Sequence, residues 1–218
     1  MEELRDANGL TEKEFLAAYK QKNYPKPSLT ADIAIFRASR QAADSLAEYE
    51  LLLIRRGGHP YLGCWALPGG FVEPSESCDE AARRELAEET GLSDVPLEQL
   101  GLYSTPGRDP RAWTASGAHI GVVPAGCAAS AGDDAADARW FKVRASQVEL
   151  PRMDQPGTTG IRLDLSAASI SGLFVEFEVL PHRFGLPRAR VLRSEGFAFD
   201  HAQIIADAYL ALTGANPL

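Results

Sequence analysis

Short segments in which apolar and polar positions alternate, or apolar positions run together, dominate this chain. "LTADIAIFR" (29–37) reads as a strand with Ile33 and Ile35 two apart. "YELLLIRR" (49–56) has an unbroken apolar run and reads as a strand buried on both faces. Further strands are expected at 97–105, 112–123, 138–143, 161–166 and 173–180. The segments between them are rich in Gly, Pro, Ala and Asp, as turns require. Helical spacing occurs in fewer places. Thr11 and Glu14 form a capping box, which starts a short helix over about 12–20. Near the end, Ile204, Ile205, Ala208 and Leu212 recur at helical spacing over 201–212, with Asp200 placed as N-cap and Gly214 just past the end. The expectation is an α/β (α+β) fold: an N-terminal helical extension over 1–28, then one domain over 29–218 that closes with a C-terminal helix.

The strongest helical signal lies in "GGFVEPSESCDEAARRELAEETGL" (69–92). Ser77 and Glu80 form a second capping box, and Gly91 stands where a C-terminal cap belongs, so a helix spans about 78–90. Glu85, Glu88 and Glu89 then fall within an arc of about 100°. Like charges at this spacing repel, and those near the C-terminus also oppose the helix dipole. A divalent cation would relieve that repulsion, and hard cations such as Mg²⁺ take oxygen ligands. A solvated acidic face is the plain alternative. Ala81 and Cys78, small and on the same stripe, would leave room for a ligand to approach.

The flanking residues decide between the two. Gly70, Glu76, Arg84-Glu85-Leu86, Glu88-Glu89 and Gly91-Leu92 stand at the spacings of the Nudix box, and the chain resembles the Nudix hydrolases. The resemblance implies a Nudix fold, a mixed β-sheet sandwiched between helices. It also implies hydrolysis of a nucleoside diphosphate linked to another group. By position, Glu85, Glu88 and Glu89 would hold Mg²⁺ (or Mn²⁺), with the Gly70 carbonyl as a further ligand. Arg84 and Glu76 would hold the loop–helix–loop together. The general base stays open between a box glutamate and a loop acid, for which Glu149 and Asp154 are candidates.

A second stretch, "TPGRDPRAWTASGAHIGVV" (105–123), resembles the ADP-ribose pyrophosphatase branch of the family and its relatives that regulate NAD metabolism; Ala112 stands where that branch often has Gly. Arg108 and Arg111 suit pyrophosphate or ribose, because a guanidinium binds phosphate bidentately; pairing with Asp109 across a turn is the local alternative. Arg56, just after a strand, is a further candidate for the substrate cleft. His59, His119, His182 and His201 show no metal spacing, and His201 reads as structural.

Composition narrows the reading. Of 218 residues, 45% are hydrophobic and 24% charged, an ordinary globular balance. No apolar run approaches the ~20 residues a membrane helix needs. Three widely spaced cysteines argue against a disulfide framework, and with the acidic N-terminus they point to the cytoplasm. A net charge of −8 disfavours nucleic acid as a partner and leaves a small nucleotide substrate. Relatives of this branch are often dimers, so a homodimer is an expectation. The leading reading is a Mg²⁺-dependent pyrophosphohydrolase of ADP-ribose. The alternatives are a non-catalytic ADP-ribose sensor, with 179–192 as a linker into a DNA-binding segment, and a (d)NTP hydrolase.

Overall fold

Strand β1 (Ser28–Ala38) is buried on both sides for most of its length. Ala31, Ile33 and Ile35 point to one layer and Ala34 and Phe36 to the other, as period-two geometry demands. The computed structural model describes residues 4–20, 24–38, 49–131, 135–149, 159–180, 185 and 187–214.

Around β1 the chain builds one mixed sheet. Strand β2 (Tyr49–Arg56) pairs antiparallel with the end of β1, while short β3 (Trp65–Ala66) and β4 (Gly69–Phe71) pair with β2 and with the start of β1. Helix α2 (Cys78–Thr90) follows, then β5 (Glu98–Tyr103) and β6 (Thr114–Val123). Strand β6 runs parallel to β1 over ten register pairs, Ser28↔Thr114 to Arg37↔Val123. Strand β7 (Ala135–Glu149) pairs with β2, and the sheet continues through β8 (Thr159–Ala167), β9 (Ile170–Leu180) and β10 (Arg188–Glu195). The final order is β10-β9-β8-β7-β2-β1-β6-β5.

One helix covers each face. Helix α2 buries Ala81, Ala82 and Leu86 against Ile33, Ile35 and Leu52. Helix α3 (His201–Thr213) buries Ile204, Ile205 and Ala208 on the opposite face, against a core that includes Phe36, Phe141 and Phe177. Each large side chain among these, such as Leu86, Ile204 or Ile205, contributes roughly 1.5–3 kcal/mol by leaving water, and each alanine less. The N-terminal helix α1 (Glu12–Ala18) has its capping box but buries no residue.

Several expectations change in detail. Strand β7 is longer than the apolar run 138–143, and β3, β4 and β10 carried too few apolar residues to be read. Residues 188–195, which overlap the end of the 179–192 stretch read as a linker to a DNA-binding segment, form β10 and pair with β9. Asp200 makes no side-chain cap to α3, because its carboxylate is drawn to Arg108 instead. Cys78 and Ala81 face inward: Ala81 is fully buried, and the Cys78 sulfur fills the space beside Gly117. That stripe therefore packs against the sheet and does not line the cleft.

Candidate functional site

Helix α2 starts where Ser77 and Glu80 cap each other and ends at Gly91 in the left-handed region (φ 71°). Its buried stripe sets the fate of each glutamate. Glu89 lies about 40° from Glu85 toward that stripe, whereas Glu88 lies about 60° from Glu85 on the other side. Glu85 and Glu89 are therefore partly buried at the edge of an open cleft of about 860 Å³, and Glu88 faces outward with its side chain 59% exposed.

Arg84 fastens the loop to the helix. Its Nη2 and Nε donate to the two oxygens of Glu76 at 2.6 and 3.1 Å, and Nη2 also donates to the Phe71 carbonyl. Its Nη1 reaches Glu85 at 2.8 Å and Glu88 at 3.0 Å. The main-chain N–H of Gly69 donates to Glu89 Oε2 at 2.8 Å. Gly70 packs so closely on Glu85 that a Cβ there would collide with the carboxylate. Gly69 is more constrained: its φ is 153°, and a Cβ would strike the Ala31 carbonyl.

Burial pushes the Glu89 carboxyl up to about 7, and the nearby charges of Glu85 and Asp32 add to the rise. Burial raises Glu85 as well, against the pull of Arg84. The protein alone therefore leaves negative charge at this edge under-compensated. The donors are all oxygen, which suits Mg²⁺ or Mn²⁺. Among the described residues no three His, Cys, Asp or Glu side chains form a ready metal cage. Mg²⁺ commonly completes its shell with water and substrate phosphates, so two carboxylates on an open cleft fit it.

The opposite wall gathers distant segments. Arg108 is buried and bonds Asp32 Oδ2 at 3.0 Å and both oxygens of Asp200 at 2.7 and 3.0 Å. Ser116 Oγ also donates to Asp32 Oδ2, at 2.6 Å. Arg111 bonds Asp109 through its main-chain N–H, Nε and Nη2, and holds the Asp109 carboxyl below its usual range. Arg56 differs from both. Its Nε donates to the Pro60 carbonyl, its guanidinium lies 4.9 Å from the Phe199 ring centre, and among the described residues it has no carboxylate at ion-pair distance.

Arg56, Arg84, Arg108, Arg111, Gly70, Glu85 and Glu89 thus share one cleft, while Glu76 and Glu88 do not line it. Glu149 is exposed at the end of β7 and does not line the cleft; Asp154 lies outside the described residues. Asp32, Phe199 and His201 line the cleft and were missed by the sequence reading. A charged residue inside the apolar run of β1 was the available signal for Asp32. For the other two there was none beyond a helix start.

A model of the NUDIX domain matches residues 28–159. The chain belongs to the Nudix family. Over 102 residues it is 47% identical to the ADP-ribose pyrophosphatase of Methanocaldococcus jannaschii, covering 46% of this chain and 60% of that protein. Over 118 residues it is 36% identical to the ADPR responsive transcriptional repressor NtrR of Acinetobacter baylyi, covering 53% of this chain and 45% of that protein. The chain thus spans about half the length of these curated relatives. The crystal structure of a MutT/nudix family protein from Enterococcus faecalis is similar with a TM-score of 0.70 and 31% identity, covering 93% of this chain and 70% of that one. The Nudix match stops at the start of β8, so Phe199 and His201 reach the Nudix cleft from beyond it.

Proposed function

We propose that this Nudix protein hydrolyses the pyrophosphate of ADP-ribose to AMP and ribose 5-phosphate with a divalent cation. The observation that carries the reading is the pairing of two under-compensated box carboxylates, Glu85 and Glu89, with Arg56 in one cleft. The identity to a named ADP-ribose pyrophosphatase supports the choice of substrate.

Glu85 and Glu89 would hold the cation. Bound there, Mg²⁺ or Mn²⁺ would polarise the phosphoryl oxygens and acidify a water. Arg56, without a carboxylate at ion-pair distance among the described residues, would bind a phosphate oxygen, and Arg111, 45% exposed at its side chain, would add a second positive charge. Arg108 would act mainly by holding Asp32 and Asp200, whose carboxylates engage its Nε and Nη2. The water oxygen bonds to one phosphorus, and the bridging oxygen leaves with the other phosphate. A carboxylate within the cleft would take the proton.

The similarity to an ADPR responsive repressor favours a second reading, in which ADP-ribose is bound without turnover. A panel of ADP-ribose, other nucleoside diphosphate derivatives and dNTPs with Mg²⁺, scored for monophosphate release, separates them. ADP-ribose should turn over fastest. Faster release from dNTPs would overturn the substrate, and tight ADP-ribose binding with no release from anything would favour the sensor.

A further inference from the structure

The segment leading into α3 lies alongside the approach to the Nudix box. Trp65 N–H donates to the Gly196 carbonyl at 3.0 Å, and Ala198 N–H donates back to the Trp65 carbonyl at 2.8 Å. His201 adds a third link, with its Nδ1 accepting the Leu67 N–H at 2.8 Å. Accepting that bond requires Nδ1 to be unprotonated, so the proton sits on Nε2, which points toward Asp32 Oδ1 at 3.6 Å. Burial favours the same neutral ring.

Leu67 opens the turn that meets the acids. The next residue, Pro68, accepts from Ile33 N–H at 2.8 Å, Gly69 donates to Glu89, and Gly70 lies against Glu85. With the ring gone, the buried Leu67 N–H would lose its hydrogen-bond acceptor, and the turn would lose one of its fixed points.

We propose that His201 is a positioning residue: its Nδ1 fixes Leu67, and with it the 68–70 turn against Glu85 and Glu89, so that cation affinity in the cleft depends on the first residue of α3. The kinetic arm of the test rests on the hydrolase reading; the metal arm does not.

The test compares H201N, H201Q and H201L in the full chain. An Asn oxygen can take the place of Nδ1, whereas Gln mimics Nε2 and Leu neither. Mn²⁺ alone is titrated into each folded protein and read by electron paramagnetic resonance of the free ion. H201N should bind within about threefold of wild type, and H201Q and H201L should weaken by roughly tenfold or more, the scale seen when outer-shell partners of metal ligands are removed. Should H201L fail to fold, the Asn–Gln pair still decides. Equal affinity in wild type and H201Q overturns the proposal, as does an H201N as weak as H201Q, or a wild type that binds no Mn²⁺. ADP-ribose turnover is scored separately. A wild type with this His201-dependent Mn²⁺ affinity that releases no AMP supports the proposal and overturns the assignment of ADP-ribose as substrate.

Discussion

On one side of the cleft, Gly70, Arg84, Glu85 and Glu89 come from a single loop–helix stretch. On the other, Asp32, Arg56, Arg108, Arg111, Phe199 and His201 come from four separate segments. The first wall is set by local rules: a capping box, a left-handed glycine and the 3.6-residue period. The second exists only because the sheet brings β1, β2, the 105–113 loop and the start of α3 together. Side chains in the two walls also differ in commitment. The acids of the local wall are short of positive charge, whereas Arg108 and Arg111 in the distant wall are satisfied by protein carboxylates.

Two glycines test the local wall at its limit. Gly69→Ala should cost at least about 3 kcal/mol, because φ 153° and the Ala31 carbonyl leave no room for a methyl group. Gly70→Ala should fold, since only the flexible end of Glu85 must move, yet it should lose most turnover. Chemical denaturation and ADP-ribose hydrolysis, measured on both, check the contrast. Equal stabilities would mean that the turn is softer than its geometry implies.

The arginines of the distant wall should divide in the same manner. Arg108→Met leaves Asp32 buried without its charged partner and should cost about 3–5 kcal/mol. Arg56→Met should leave the melting temperature nearly unchanged and raise KM for ADP-ribose by tenfold or so, the loss of one charge-assisted contact. An Arg56 variant with normal KM would remove it from the substrate.

The pH response sharpens the comparison further. The Glu89 carboxyl rises from 4.5 to about 7 on folding, which corresponds to roughly 3 kcal/mol. A raised carboxylate favours the folded state below pH 4.5 and loses that advantage as pH climbs to 7. In EDTA, wild type should therefore lose stability from pH 5 to 8 relative to E89Q, and saturating Mg²⁺ should close the gap. Parallel melting curves for the two proteins in EDTA would show that Glu89 ionises as freely as it does in the unfolded chain.

What was legible in the sequence follows the same division. The box helix, both its caps and the strands around β1 and β2 are dictated by neighbours in the chain, and they are read correctly. Glu88 was not separated from Glu85 and Glu89, because the helical wheel gives an arc and not the side on which the sheet lies. The pairing of Arg108 with Asp32 and Asp200 could not be read, because those partners are 76 and 92 residues away. His201 looked like an ordinary helix start for the same reason. Such contacts depend on β1 lying parallel to β6, a pairing that no local pattern announces.

The division within the box is the central claim, and turnover of ADP-ribose by E88Q and E89Q at saturating Mg²⁺ tests it most directly. E89Q should lose about a hundredfold or more, since a metal acting as Lewis acid is worth several kcal/mol. E88Q should stay within about tenfold of wild type, because it gives up only an exposed pair with Arg84. Equal losses in the two variants, or a larger loss in E88Q, would contradict the account.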